Sequence, residues 1–191
     1  MRRLRSDNGF ALVELLVAIT IAAVGLVALA GTFDTSRSSV SESKEMQAAS
    51  HAGQDALEQV MSLGYSSIAL NAAPAASTDQ YDPNYFVVGG TPPAYRWNGP
   101  TGGSNTEPLV IDSSAGFSSG PLAWGDSRYG GSIYRYVTWA CDTAVSGATG
   151  CPATNDYKRV TVAVTLKTHT TRRRPIFFQS FVSDPNAGPK P

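Results

Sequence analysis

From Phe10 to Phe33 the chain reads FALVELLVAITIAAVGLVALAGTF, 24 residues whose only charge is Glu14. As a helix rising about 1.5 Å per residue, the run is about 36 Å long, enough to cross the roughly 30 Å hydrocarbon core of a bilayer. A helix buried in a soluble core rarely stays apolar on every face for that distance. The run therefore predicts a membrane-spanning helix. Arg2, Arg3 and Arg5 precede it, set against one acid, Asp7. That basic bias predicts a short cytoplasmic N-terminus and export of the rest of the chain. Residues 10–191 hold 12 basic and 14 acidic residues within a chain of zero formal charge. Such a balance makes no case for nucleic acid as a partner.

Beyond the apolar run, residues 34–64 change character without a proline break. Val40, Met46, Ala49, Gly53, Ala56, Leu57, Val60 and Leu63 recur at spacings of mostly three or four, with Ser, Glu, Lys and Gln between them. This period predicts an amphipathic continuation of the same helix, with Gly64 as its C-terminal stop. Residues 65–131 are rich in Gly, Pro, Ser, Asn and Ala. They read as a long loop-like connection with short strands at 85–88 and 109–111. Three β-branched and aromatic runs follow at 132–141, 156–168 and 173–184. Val160, Val162, Val164 and Leu166 alternate with Thr161, Ala163 and Thr165, which predicts a strand with one face on a core and the other near solvent. Short links between the three runs predict an antiparallel meander. The fold class expected is α+β, a long N-terminal helix packed on a C-terminal antiparallel sheet, with boundaries at 1–9, 10–33, 34–64, 65–131, 132–184 and a tail at 185–191.

Cys141 and Cys151, the two cysteines, close an 11-residue segment between the first two expected strands. An even pair in an exported chain favours a disulfide, worth about 3 kcal/mol in the chain-entropy account; two unpaired thiols are the alternative. Two ligands cannot close a structural zinc site, and His51 and His169 lie far away in sequence. No metal, cofactor or small-molecule substrate is expected.

Glu14 is the residue that asks for a function. An acid deep in an apolar helix costs about 2.5–3.5 kcal/mol on insertion scales, so it calls for a counter-charge. Cleavage just before Phe10 creates such a cation, the new amino terminus of a neighbouring subunit. A staggered array then rewards assembly by pairing each Glu14 with the next terminus, whereas a lone chain in lipid keeps an unpaired acid. Snorkelling of Glu14 from near the helix end is the purely structural alternative.

The stretch SDNGFALVELLVAI, residues 6–19, closely resembles the prepilin signature of type IV pilins and type II secretion pseudopilins. The resemblance implies cleavage after Gly9 by a membrane prepilin peptidase, N-methylation of Phe10, and Glu14 as the acid that guides assembly. It also implies other pilin subunits, the pilus assembly machinery and the membrane as partners, and an extracellular filament as the destination. VGLVALAG (24–31) and ALEQ…LGYSSI (56–68) resemble minor pilins of the PilV kind. The C-terminal strands are similar to the sheet of a pilin globular domain. Gly31 stands where many major pilins carry a proline, and the spacing of the cysteines differs from the large C-terminal disulfide loop of major pilins. The cysteine spacing implies a minor subunit, and Gly25 and Gly31 serve helix flexibility or close helix packing.

Three other readings stay open. Ala28-Leu29-Ala30 is an acceptable signal-peptidase site, so a secreted protein starting at Gly31 is one. A pseudopilin of a secretion or DNA-uptake machine is another. The third is an anchored enzyme, for which the chain offers no G-x-S-x-G, H-E-x-x-H or phosphate-binding loop. Asp79, Asp82 and Asp126 sit in turn-rich segments where Asp serves the turn itself. Arg172, Arg173 and Arg174 read as a solvated turn, with contact to DNA phosphates as the alternative.

Overall fold

The computed structural model of the chain describes residues 8–96, 106–127, 129–140, 157–167 and 174–185, with side chains from residue 12 onward. One helix, α1, runs Asn8–Met61. Ala, Leu and the polar straight-chain residues dominate it and no proline interrupts it, which suits an unbroken helix. It ends at Met61, short of Gly64. That glycine instead precedes a 3-10 turn, Tyr65–Ser67, with an extended backbone (φ −62°, ψ 147°) rather than the left-handed stop expected of it.

The chain forms two compact units, residues 1–44 and 45–191. In the second, β4 (Leu122–Gly125), β5 (Gly130–Ala140), β6 (Tyr157–Leu166) and β7 (Ile176–Ser183) form an antiparallel sheet in the order β4-β5-β6-β7. Three of these are the meander expected from the pattern; β4, too short to show a period, lay inside the stretch read as loop. The β4–β5 hairpin pairs Leu122 with Ile133 and Gly125 with Gly130. Gly125 adopts φ +82°, a conformation that glycine tolerates without a Cβ penalty.

Residues 45–61 of α1 lie on one face of this sheet. Their buried positions are Glu45, Ala49, Gly53, Ala56 and Val60, spaced four, four, three and four. Ala49 and Ala56 pack with Ile133, Val162 and Val164, with Phe178 and Trp124 at the margin. Small residues let helix and sheet approach closely. A Cβ on Gly53 would stand 2.6 Å from Phe178 Cδ2 and 3.0 Å from Val164 Cγ2. The apolar pattern overreached at its ends, because Val40 is 51 % and Leu63 40 % exposed. It also missed Glu45, which is buried.

The opposite face of the sheet is covered too. A second, three-stranded antiparallel sheet, β1 (Val87–Val88), β2 (Ala94–Arg96) and β3 (Thr106–Pro108), has the order β1-β2-β3. Its Tyr95 ring lies 4.7 Å from that of Tyr136 on β5 and 5.8 Å from Phe86. In consequence Thr161 and Ala163 of β6 are as fully buried as Val160, Val162 and Val164. The expectation of a solvent-facing side on β6 is thereby corrected: the central strand is enclosed between a helix and a second sheet. Each of those valines contributes about 1.5–3 kcal/mol by its burial.

The expected short strands at 85–88 and 109–111 are also revised. Pro83–Phe86 is a 3-10 turn capped by Asp82, whose carboxylate accepts the Asn84 N–H at 2.8 Å, and only Val87–Val88 is strand. Leu109 and Ile111 make isolated bridges to Thr138 and Leu70. The backbone at Leu70 is threaded between two segments: Leu70 N–H donates to Val110 O and Asp112 N–H to Leu70 O, each at 2.8 Å. Phe117 N–H donates to Ala69 O and Asn71 N–H to Phe117 O, each at 2.9 Å. These bonds satisfy buried backbone and explain how a glycine- and proline-rich connection is packed rather than loose.

Candidate processing and assembly site

Gly9 and Phe10 fall in the first turn of α1, which carries no acid. Glu14 follows Phe10 by four residues, placing both on one helix face. Around Glu14 the helix is bare. Leu12, Val13, Leu15, Leu16, Val17, Ile19, Ile21, Val24, Leu26, Val27, Leu29 and Phe33 are each at least 52 % exposed. Soluble monomers rarely expose contiguous apolar surface on this scale, so the segment needs lipid or other helices around it. By length and composition α1 is able to cross a membrane.

The polar groups of the segment fit that setting. Thr20 Oγ1 donates to Leu16 O at 2.7 Å and Thr32 Oγ1 to Leu29 O at 2.8 Å. Both hydroxyls are thus satisfied inside the helix, as hydrocarbon requires. Glu14 has no such recourse to its own helix, since a carboxylate accepts but does not donate and helical N–H groups are already engaged. It is the one charged side chain between residues 12 and 33.

The other residues singled out from sequence are not gathered here. Cys141 and Cys151 lie outside the described residues, as do His169, Arg172 and Arg173. The flanking residues Ala140 and Tyr157 are register partners, so the segment holding both cysteines connects β5 to β6. His51 is exposed on α1. Asp79 accepts the Tyr81 N–H and Asp126 the Tyr129 N–H, both at 2.9 Å, so each serves its own turn. Among the described residues no three His, Cys, Asp or Glu side chains come together.

Sequence reasoning missed the charged groups that lock the folded unit. Lys158 on β6 is buried, and its Nζ donates to Tyr65 O at 2.7 Å and Ile68 O at 2.9 Å. The Tyr65 ring lies 4.3 Å away and the Trp139 ring 5.4 Å, a cation–π setting. Burial lowers the Lys158 pKa, with Asp112 and Asp184 opposing. Lys158 thereby ties the segment after α1 to the sheet. Arg159 makes a forked pair with Glu107 at 2.9 and 3.1 Å, and Thr138 Oγ1 donates to the same carboxylate at 2.6 Å. That network joins the two sheets. Arg135, its pKa lowered by burial, donates to Ser118 O at 2.9 Å across the Phe117 ring. Lysine and arginine within a strand pattern carry no sequence sign of the carbonyls they will meet.

The chain thus belongs to the class that joins an α+β unit to an N-terminal helix long and apolar enough to cross a membrane. Residues 4–30 match the family model described as a prokaryotic N-terminal methylation motif. The match supports a place among type IV pilin-like proteins, the prepilins, and with it a pilin or pseudopilin type of role. No curated protein and no solved structure matches the chain.

Proposed function

We propose that the chain is a minor subunit of a type IV pilus or pilus-like filament, with a leader ending at Gly9 and a mature chain starting at N-methylated Phe10. Its role is structural, without a catalytic site of its own, and its globular part is exported. The observation that carries this reading is Glu14, a lone acid one turn after Phe10 on a bare apolar helix, inside the matched motif. The ammonium created at Phe10 stands at a helix N-terminus, where the backbone dipole disfavours a cation. A carboxylate brought up by a neighbouring subunit offsets that penalty and loses its own cost of standing unpaired in lipid. Cys141 and Cys151 form a disulfide that closes the β5–β6 connection.

Mass spectrometry of the mature protein tests the processing. A start at methylated Phe10 supports it, and a start at Gly31 sinks it in favour of signal-peptidase cleavage. Substituting Gly9 blocks maturation. Glu14→Ala matures normally, yet its incorporation into filaments drops about tenfold or more if an ion pair in lipid drives assembly. Undiminished incorporation refutes the pairing argument.

A further inference from the structure

Two strand edges of the folded unit are open. Among the described residues β7 pairs with β6 alone, and β4 pairs with β5 alone. The β7 edge, IFFQSFVS, is eight residues long with no charge and no proline. Phe177 and Phe181 on it are 38 % and 52 % exposed. Natural edge strands are blunted by charge, proline, bulges or shortness. An unguarded edge of this kind is a template for a further strand.

We propose that the β7 edge of one copy takes the β4 edge of the next copy, extending the four-stranded sheet from subunit to subunit. Hydrogen-bond direction comes first. Arg135 N–H donates to Ser119 O on the β4 side of β5, and Lys167 N–H to Gly130 O on the β6 side. Odd residues of β5 therefore bond toward β4 and even ones toward β6. Carried through the β5–β6 and β6–β7 registers, the alternation points the N–H and C=O of Phe177, Gln179 and Phe181 out of the β7 edge. The same alternation points those of Ala123 out of the β4 edge.

An antiparallel register with Phe177 opposite Ala123 joins outward group to outward group. It also sets Ile176 opposite Trp124 and Phe178 opposite Leu122. All four belong to the face that α1 covers, so that apolar face continues across the junction. On the other face the exposed Phe177 meets a small residue. At the end of the pairing the exposed Arg174 stands against the exposed Asp126. Displacing the register by two residues so that Asp126 faces Ile176 loses this charge pair.

Self-pairing of β7 about a two-fold axis closes at a dimer, whereas a filament requires a contact that repeats from copy to copy, and β7 against β4 provides it. Such a contact is heterologous and propagates. A four-residue edge falls well short of the roughly 1,000 Å² expected of a stable interface in solution. The contact therefore forms where anchoring raises the effective concentration. It rests on the filament-subunit reading above.

The test uses the full-length chain in its own membrane. Directly opposed, hydrogen-bonded strand residues have Cα atoms about 5.5 Å apart, within disulfide reach. Under mild oxidation, a chain carrying both Ala123→Cys and Phe177→Cys gives a ladder of dimers and higher oligomers above the background of the native cysteines. Each single variant alone gives none, and the two singles made together give dimers only. Arg174→Glu in the double variant lowers the ladder severalfold, and high salt lowers the ladder of the unmodified register likewise. Absence of a ladder overturns the proposal, and so does dimerisation of Phe177→Cys alone, which signals two-fold pairing of β7. Maturation at Phe10 and filament incorporation are scored on the same samples. A chain that passes both without cross-linking sinks the edge pairing and leaves the filament reading intact.

Discussion

The fully buried tyrosines make the folded unit labile to alkali in a way that its geometry quantifies. Tyr95 and Tyr136 are 1 % and 0 % exposed, with rings 4.7 Å apart. Burial is the main cause that raises both pKa values far above the ordinary 10, with neighbouring Tyr95, Asp82 and Tyr134 adding to it at Tyr136. Above pH 10 the unfolded chain releases these protons while the folded chain keeps them, so stability falls as pH rises. Each tyrosine costs about 1.4 kcal/mol at pH 11 and about 2.7 at pH 12, hence about 2.8 and 5.4 for the pair. Tyr65 and Tyr134, also raised by burial, add to the same limb. Lys158 works in an adjoining window. Its folded pKa is lowered from 10.5, so the unfolded chain binds more protons and stability climbs toward pH 10.5, then gains nothing further. The full-length chain in nonionic detergent, melted between pH 8 and 12 and followed by near-UV circular dichroism, should show a shallow rise and then a steep fall. Tyr136→Phe loses the 2.7 Å hydroxyl bond to Asn84, costing about 1 kcal/mol at neutral pH. The same variant flattens the alkaline limb by one proton, about 1.4 kcal/mol per pH unit. An alkaline limb unchanged in Tyr136→Phe refutes the reasoning.

Gly53→Ala gains about 1 kcal/mol of helix propensity but drives a methyl into Phe178 and Val164, an overpacking cost of about 1–3 kcal/mol. A net loss is expected by thermal melting, and Phe178→Leu in the same chain recovers part of it; a stabilised Gly53→Ala contradicts the helix–sheet contact. Lys158→Met strands the carbonyls of Tyr65 and Ile68, costing about 2 kcal/mol at pH 7, and abolishes the rise in stability toward pH 10.5. Glu107→Gln breaks the forked pair with Arg159 at a cost of about 1–2 kcal/mol. Arg159→Ala added to it then costs less than Arg159→Ala alone, the remainder being its contacts with Phe181 and Gln179, and a double-mutant cycle measures that coupling directly.

What was legible in the chain depended on whether the deciding interaction was local. The β-branched and aromatic runs of β5, β6 and β7 announced themselves because such composition is local, and alternation reinforced it in β6. β4 did not, since LAWG has four residues and becomes strand through its pairing with β5. Leu109–Ile111 shows the converse, a strand-like run whose neighbours allow isolated bridges to Thr138 and Leu70. Thr161 was read as facing solvent because a threonine in alternation is ordinarily half-exposed. The layer of Tyr95 and Tyr136 above it comes from segments 25 to 66 residues away in sequence, beyond the reach of any local pattern. Lys158 and Glu107 were invisible for the same reason: a charge reads as surface until its distant partners are placed.

The candidate site obeys the opposite rule, because Glu14 is a local contradiction. An acid inside an apolar run needs no tertiary knowledge to be conspicuous, whereas the open β7 edge emerges only with the sheet order. The two features bear on each other. An uncharged edge of eight residues endangers a freely tumbling protein, which meets other edges in every orientation and register. An anchor in a membrane reduces those encounters by confining the copies to one surface. Within a filament the β7 edge meets the β4 edge of the next copy, and the contact propagates in one direction. Guarding the β7 edge with Gln179→Glu costs little in folding, since Gln179 is exposed and the carboxylate keeps an acceptor for Arg159 Nη1, 3.4 Å from Gln179 Oε1. Filament incorporation of that variant falls if the edge carries the contact, and unchanged incorporation removes the edge from assembly.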